Sequence, residues 1–135
     1  MDMKKYLFSV VSITTLWFVM DYVIHGFVLT GLYQETASVW RPMQEMSHLL
    51  GVFVSLAHAV LFVTFYQYLA KSKHLVQGSK FGCFIGLMIG LAMANFYLYL
   101  PIPIHLALGW FFGTLVEYVA AGSLVAYFTK SEGNY

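Results

Sequence analysis

The chain alternates long apolar stretches with short polar interruptions. The stretches cover about residues 6–29, 46–69, 81–100 and 104–128. Each has roughly the 20 residues that a helix needs to cross the hydrocarbon core of a bilayer, where backbone polar groups must be satisfied within the helix. The pattern therefore predicts an all-α integral membrane protein: a four-transmembrane-helix bundle that forms a single domain over residues 1–135.

Composition agrees with this fold class. The 135 residues are 60% hydrophobic and 10% charged, and their mean hydropathy is +0.73. That is more apolar surface than a soluble domain of this size can bury, so we expect the lipid bilayer as a partner. The net charge is only +1, and the scattered basic residues offer no face for nucleic acid. The single cysteine, Cys83, cannot form an internal disulfide.

The basic residues predict the orientation. Six lysines fall on one side of the predicted bundle: Lys4, Lys5, Lys71, Lys73, Lys80 and Lys130. The other side carries Arg41 alone. Because lysine and arginine are enriched in cytoplasmic loops, we expect both termini to be cytoplasmic and residues 30–45 to lie outside. Three aromatic residues of the outer side are expected to anchor it at the membrane interface: Tyr33, Trp40 and Tyr99.

Small residues recur every four positions on the last two predicted helices: Gly82, Gly86, Gly90 and Ala94, then Gly109, Gly113 and Ala121. Such stripes let membrane helices approach closely, so we expect them to be packing faces. Glu117 lies on the second stripe and should face a neighbouring helix. The second predicted helix carries a comparable small or polar face, which we expect to point inward: His48, Gly51, Ser55 and His58.

Ionisable residues inside the apolar stretches are the strongest candidates for function. Such residues are costly in a bilayer and normally face the interior of the protein. At a rise of about 1.5 Å per residue, the candidates from all four spans fall at similar depths, from the midplane outward. We therefore predict one buried polar cluster, with Trp17 one turn before its first member: Asp21, His25, His58, Asn95 and Glu117.

A possible internal repeat points to the same positions. Residues 19–22 resemble residues 93–96, and residues 50–53 resemble residues 108–111. Two helical hairpins in parallel orientation would place the polar residues at equivalent depths, as in transporters with parallel repeats. The sequence therefore suggests a possible parallel two-hairpin pseudo-repeat.

The chemistry of the predicted cluster stays open. A carboxylate beside an imidazole in a low dielectric can share a proton, bind an ion or a small ligand, or relay protons. The same contacts can also hold helices in register, since polar contacts between membrane helices contribute on the order of 0.6 to 2 kcal/mol each. Structural, binding and proton-transfer roles are all compatible with these residues.

Cofactor and catalytic motifs are weak or missing. Glu45 and His48 have the Glu-x-x-His spacing of di-iron bundles, but that site needs two such motifs and further glutamates, and the chain has six acidic residues in all. Glu45 also suits the positive end of a helix dipole. His25 and His48 could ligate a haem, although no Cys-x-x-Cys-His motif is present. We expect no cofactor, with metal and haem as the weaker alternatives. Neither a nucleophile elbow nor a phosphate-binding loop occurs, so we predict no catalytic residue and a non-enzymatic protein.

Several short motifs carry a family resemblance. Residues 21–26 (DYVIHG) are followed by Tyr33, then by residues 40–42 (WRP) and by Glu45-Met46. This pattern resembles small four-helix bacterial membrane proteins of unknown function, and Phe81-Gly82 and residues 101–103 (PIP) are similar to that group as well. The resemblance implies a bacterial inner (cytoplasmic) membrane and brings no activity or catalytic residue with it.

Two functions remain open at this point. The first, which the sequence favours, is a non-enzymatic oligomeric or accessory subunit that associates with itself or with another membrane protein, because the chain has glycine faces and no catalytic motif. The second is a small transporter, channel or ligand-binding protein that uses the intramembrane cluster. The structure of residues 30–45 is not predicted.

Overall fold

The computed structural model describes residues 2–70 and 74–129. These residues form helices and no β-strand: α1 (Met3–Val23), a π-helical turn (Ile24–Val28), α2 (Thr30–Glu35), α3 (His48–Leu69), α4 (Leu75–Ala94) and α5 (Ile104–Thr129). Four helical segments are long and apolar enough to cross a membrane: Met3–Val28, His48–Leu69, Leu75–Leu98 and Ile104–Thr129. The predicted all-α fold with four potential spans is therefore confirmed.

The start of α4 is the largest departure from the predicted boundaries. The helix begins at Leu75, whereas the sequence pattern placed its start at Phe81 and left Lys80 in a loop. Lys80 lies on an exposed side of the helix, where a long side chain can bury its methylene groups and keep its ammonium in water. Gly78 of the same first turns packs against Gly122 of α5. The hydropathy pattern missed these turns because their stability comes from this contact.

The start of α3 is also displaced, from the predicted residue 46 to His48. Ser47 caps the helix, because its side chain accepts a hydrogen bond from the backbone N–H of Leu50 at 3.3 Å. Glu45 ends a short 3-10 turn that precedes the helix, and Met46 between them is extended. The sequence suggested that Glu45 lies at the positive end of a helix dipole. In the structure Glu45 precedes α3 and is not part of its first turn.

Contacts between helix ends define the topology. The Tyr6 hydroxyl, near the start of α1, lies 2.9 Å from the hydroxyl of Thr64, near the end of α3. The Ser79 hydroxyl of α4 lies 2.8 Å from the Ser123 hydroxyl, near the end of α5. The rings of Phe8 and Phe128 pack with centroids 4.7 Å apart, which joins the start of α1 to the end of α5. The helices α1 and α4 thus run in one direction, and α3 and α5 in the other.

This topology gives the bundle two distinct ends. The termini end contains the start of α1 and the end of α5, and the loop end contains residues 30–47 and 99–103. Lys4, Lys5 and Lys80 lie at the termini end, and Arg41 lies at the loop end. The orientation prediction also used Lys71, Lys73 and Lys130, which lie outside the described residues.

Two groups of buried apolar side chains hold the bundle together. The first fills its termini half, where α3 meets α4 through the rings of Phe62 and Phe81, 5.2 Å apart. Its best buried members include Ile13, Ala59, Val63, Ala121 and Val125. The second lies at the loop end and consists of Leu29, Ile102, Leu106, Ala107 and Trp110. Burial of these side chains closes both ends of the interior.

The predicted glycine stripes pack inside the chain. A Cβ atom at Gly82 would collide with the backbone oxygen of Tyr118, and one at Gly78 would collide with the backbone oxygen of Gly122. Gly86 and Gly90 also face α5, so the stripe of α4 is covered by its own neighbour. On α5, Gly113 faces Ile24 of the first span, and Gly109 faces Leu29, which directly follows that span. Residues of the same chain therefore cover this stripe as well.

The face predicted for the second helix points inward over only half its length. Ser55 and His58 reach the interior, whereas His48 and Gly51 are exposed. Apart from its two chain neighbours and the nearby backbone of its own helix, no described atom lies within 4 Å of the position that a Cβ of Gly51 would take. The first turns of α3 are apolar on every side, including Leu49, Leu50 and Phe53, so these turns can face lipid without packing on a neighbouring helix.

Candidate functional site

A cavity of about 190 Å³ lies between the four long helices, and all of them contribute to its walls. The helix α1 supplies Trp17, Asp21 and His25; α3 supplies Val54, Ser55 and His58; α4 supplies Ile89 and Met93; and α5 supplies Trp110, Thr114, Glu117 and Tyr118. Four of the five predicted cluster residues therefore share one cavity. No lysine or arginine of the described chain lines it.

Asn95 is the predicted member that the structure leaves outside the cavity. It is exposed, and it follows the last residue of α4 at the start of a 3-10 turn over Asn95–Leu98. Depth along the chain placed Asn95 beside Asp21, but depth does not determine facing. The α4 residues that line the cavity, Ile89 and Met93, are four apart and share one face of the helix. Asn95 follows Met93 by two residues, which corresponds to a rotation of about 200° around the helix axis, so it lies on the opposite side.

Helical spacing explains how single helices deliver several lining residues. Trp17, Asp21 and His25 recur every four positions and therefore occupy one face of the first span. Trp110, Thr114 and Glu117 occupy one face of α5, because they are four and three residues apart. Glu117 was predicted only as a member of the glycine stripe, although the spacing of Trp110 and Thr114 also indicates this neighbouring face.

Glu117 forms the deep part of the cavity, and Asp21 lies at its mouth. Glu117 is only 8% exposed, whereas the side chains of Asp21 and His25 are 49% and 40% exposed. The carboxyl groups of Glu117 and Asp21 lie within hydrogen-bonding reach of each other. Within the described residues, Oε1 of Glu117 has no hydrogen-bond partner. Two acidic groups thus meet between α1 and α5, with one buried oxygen available to a ligand.

A hydrogen-bonded chain connects the mouth of the cavity to the loop end. The indole Nε1 of Trp110 donates to the Tyr33 hydroxyl at 2.6 Å, and that hydroxyl lies 2.7 Å from Nδ1 of His25. An indole can only donate, so the Tyr33 oxygen accepts from Trp110, and its second hydrogen bond is with Nδ1 of His25. The other ring nitrogen of His25, Nε2, lies 3.6 Å from Oδ1 of Asp21.

The π-helical turn contains His25, and α2, which follows it after Leu29, contains Tyr33. The backbone N–H of Leu29 donates to the carbonyl of Ile24 at 2.8 Å, five residues back. The Thr30 hydroxyl donates to the carbonyl of Gly26 and satisfies a group inside the turn. Such turns occur frequently at functional sites. Here the turn lies at the junction between the first span and α2.

Tyr33 and Trp40, which are predicted to be interfacial anchors, also contact residues of the cavity. Tyr33 is half-buried, and burial raises its pKa, with Asp21 acting in the same direction and the Trp110 hydrogen bond opposing both. Trp40 packs on Trp110 at 5.9 Å between ring centroids, and its Nε1 donates to the Thr36 hydroxyl at 2.9 Å. Tyr99, by contrast, is 75% exposed.

A second aromatic and polar group lines the termini side of the cavity. The Tyr118 hydroxyl forms a hydrogen bond with Nε2 of His58. The ring of Trp17 lies 5.3 Å from that of His58 and 5.2 Å from that of Tyr118. Nε1 of Trp17 is buried and has no hydrogen-bond partner among the described residues. An unsatisfied donor and an unsatisfied acceptor, Trp17 and Glu117, thus belong to the same cavity.

The weaker metal and haem alternatives involve Glu45, His48 and His25. No three His, Cys, Asp or Glu side chains within residues 2–70 and 74–129 come together as a metal-ligand set. Glu45 and His48 are exposed and lie on different elements, a 3-10 turn and α3, so they do not share one helical face. His48 is absent from the walls that contain His25.

The arrangement is chemically suited to hold or pass protons and to bind a small polar ligand. Tyr33, His25, Asp21 and Glu117 follow one another from the loop end toward the middle of the bundle, and each can carry a proton. No protein-family model, curated protein or solved structure matches the chain. The site itself therefore provides the basis for a functional proposal.

Proposed function

We propose that this chain is a small non-enzymatic membrane protein that binds a small ion or molecule in its intramembrane cavity and passes it across the bilayer. The observation that carries the proposal is the position of Glu117: a buried carboxyl group that faces a cavity shared with Asp21, His25 and His58. Ionisable residues held at such depth are typical of ion and proton pathways.

Static helix contacts alone explain this geometry less well. A purely structural polar cluster satisfies its own hydrogen bonds, because an unpaired buried acceptor destabilises the fold. Here Oε1 of Glu117 and Nε1 of Trp17 have no partner among the described residues, and the space beside them is open. The termini side of the cavity is closed by Ile13, Val63 and Val125, which are fully buried. Passage therefore requires these helices to move apart in a second state.

The test is proton flux in proteoliposomes under an imposed pH gradient. We expect wild type to conduct and the Asp21→Asn, Glu117→Gln double variant to lose most of the flux, because two carboxyl groups of the cavity become amides. The matched control is Glu35→Gln, Glu45→Gln, which removes two exposed carboxyl groups at the loop end. Equal flux in wild type and the cavity variant would contradict the proposal.

An accessory-subunit role is the second candidate. The glycine stripes of α4 and α5 that motivated it are covered within the chain, which weakens that reason. One observation still favours association: Gly51 lies on an exposed face of α3 with open space beside it, where another helix could approach closely. Native mass spectrometry from mild detergent would test this role, and a monomer without a partner would count against it.

We also propose a bacterial inner-membrane location with both termini cytoplasmic. The resemblance of residues 21–26 and 40–46 to bacterial four-helix membrane proteins supports the location. The lysines at the termini end and Arg41 at the loop end support the orientation. The shared direction of α1 and α4 is compatible with a two-hairpin pseudo-repeat, although Asp21 lines the cavity and its counterpart Asn95 does not.

A further inference from the structure

The charge of the cavity lining is acidic. Asp21 and Glu117 contribute carboxyl groups, and no described lysine or arginine reaches the lining. Nδ1 of His25 forms a hydrogen bond with the Tyr33 hydroxyl. His58 and Tyr118 bond to each other. In a region of low dielectric, such a lining attracts cations and repels anions.

The remaining walls are aromatic and apolar. Trp17, Trp110 and Tyr118 present rings to the cavity, and Ile89 and Met93 add aliphatic surface. Aromatic faces attract ammonium groups through cation–π interactions. A bare metal ion would gain little from these walls, and no set of three His, Cys, Asp or Glu ligands is assembled within the described residues. The lining therefore favours a cation with a carbon body.

Glu117 provides an independent indication of a ligand. Its side chain is more than nine-tenths buried, it lines the cavity, and its Oε1 has no described hydrogen-bond partner. A buried carboxyl oxygen needs a donor, and an N–H group of an ammonium ion supplies a strong one. A volume of about 190 Å³ suits a compact molecule with a few carbon atoms.

We propose that the cavity binds a small organic cation, with its ammonium group against Oε1 of Glu117 and beside Asp21, and its carbon body against the rings of Trp17, Trp110 and Tyr118. This inference rests on the proposed function, because it names the ligand class of the same site.

Isothermal titration calorimetry on the purified full-length chain in detergent tests the ligand class. The probe is tert-butylammonium, with tert-butanol as the neutral isostere and pivalate as the anionic one. We expect the cation to bind and both isosteres to bind at least about tenfold more weakly, because only the cation interacts favourably with the two carboxyl groups and the rings. Equal binding of tert-butanol or pivalate overturns the proposal.

Variants then locate the bound probe. Glu117→Gln should weaken tert-butylammonium binding about tenfold or more, and Glu117→Asp, which keeps the charge, should retain most of it. Asp21→Asn, at the half-exposed mouth, provides a second charge removal in case Glu117→Gln does not fold. The matched control, Glu45→Gln, removes an exposed carboxyl group elsewhere. Unchanged binding in folded Glu117→Gln or Asp21→Asn overturns the proposal.

The outcomes separate this inference from the proposed function. If none of the three probes binds while proton flux still depends on Asp21 and Glu117, the ligand class is wrong and the proposed function stands. If the cation binds through Glu117 but flux is the same in wild type and the double variant, passage is wrong and the cation site stands. Displacement of the probe by sodium or potassium chloride at equal concentration would identify an inorganic-cation site and overturn the organic class.

Discussion

At the scale of single residues, Tyr33 connects two residues of the cavity, His25 and Trp110, by hydrogen bonds. Its hydroxyl oxygen accepts a hydrogen bond from Nε1 of Trp110 and forms a second hydrogen bond with Nδ1 of His25. Nε2 of His25 in turn lies 3.6 Å from Oδ1 of Asp21. Three residues from the first span, the loop end and α5 are coupled through this one oxygen, so its removal should affect both stability and flux.

Tyr33→Phe tests this coupling. The change leaves Nε1 of Trp110 and Nδ1 of His25 without their partner, and we expect the free energy of unfolding to fall by about 1–3 kcal/mol. The measurement is chemical unfolding in detergent, followed by tryptophan fluorescence. Tyr99→Phe is the matched control, because Tyr99 is 75% exposed, and it should unfold as wild type does. Equal stability of both variants would contradict the assigned network.

The pKa of Tyr33 leads to a pH dependence. Burial raises this pKa above the ordinary 10.0, so the folded state holds the phenolic proton more tightly than the unfolded state does. The resulting stabilisation is complete below about pH 10 and is lost as the pH rises through the folded pKa. We therefore expect the stability difference between wild type and Tyr33→Phe to shrink only above about pH 10, as the pH rises through the folded pKa. A difference that grows over that range would contradict the raised pKa.

At the scale of helices, the contact between α4 and α5 depends on glycines, which have no side chain. Gly78, Gly82 and Gly122 bring the two backbones together, and a Cβ at any of them would meet the neighbouring helix. The cavity depends on this contact, because Ile89 and Met93 of α4 and four residues of α5 face it together. Separation of these helices would widen the site.

Gly82→Ala tests the contact. The added methyl group has no space beside the backbone of Tyr118, so we expect a loss of about 1–3 kcal/mol or more in the free energy of unfolding. The matched control is Gly51→Ala, also inside a helix but with open space around it. That variant should be neutral or up to about 1 kcal/mol more stable, because alanine is the better helix former. Unfolding in detergent measures both, and equal effects would contradict the close packing.

At the scale of the whole molecule, the bundle is closed at its termini half and holds a cavity nearer the loop end. Buried apolar side chains fill the first region, and the cavity lies between them and the smaller apolar group around Leu29 and Leu106. A ligand would therefore enter beside Asp21, whose side chain is half-exposed and lies toward the loop end of the first span. The proposed orientation makes that entrance face the non-cytoplasmic side.

Cysteine labelling of intact cells tests this orientation. In a Cys83→Ala background, Gln44→Cys should react with a membrane-impermeant maleimide added outside, because Gln44 is exposed at the loop end. Asp2→Cys, at the termini end, should react only after lysis. The reverse pattern would contradict cytoplasmic termini, and the lysed sample controls for the reactivity of each thiol.

The sequence by itself determined the all-helical fold, its four potential spans and the glycine stripes. These properties depend on hydropathy and on spacing within single helices, both of which can be read locally. It also placed Asp21, His25, His58 and Glu117 at comparable depths, because depth follows from a constant rise per residue.

Only the tertiary structure decided which of these residues face one another. Asn95 had the right depth but lies on the opposite side of its helix from the lining residues Ile89 and Met93. Tyr33 is of a residue type that is common at membrane interfaces. The π-helical turn and α2 place its hydroxyl against His25 and Trp110. Facing depends on helix rotation and on contacts between distant segments. Hydropathy is insensitive to both, so the cavity could only be found from the packed helices.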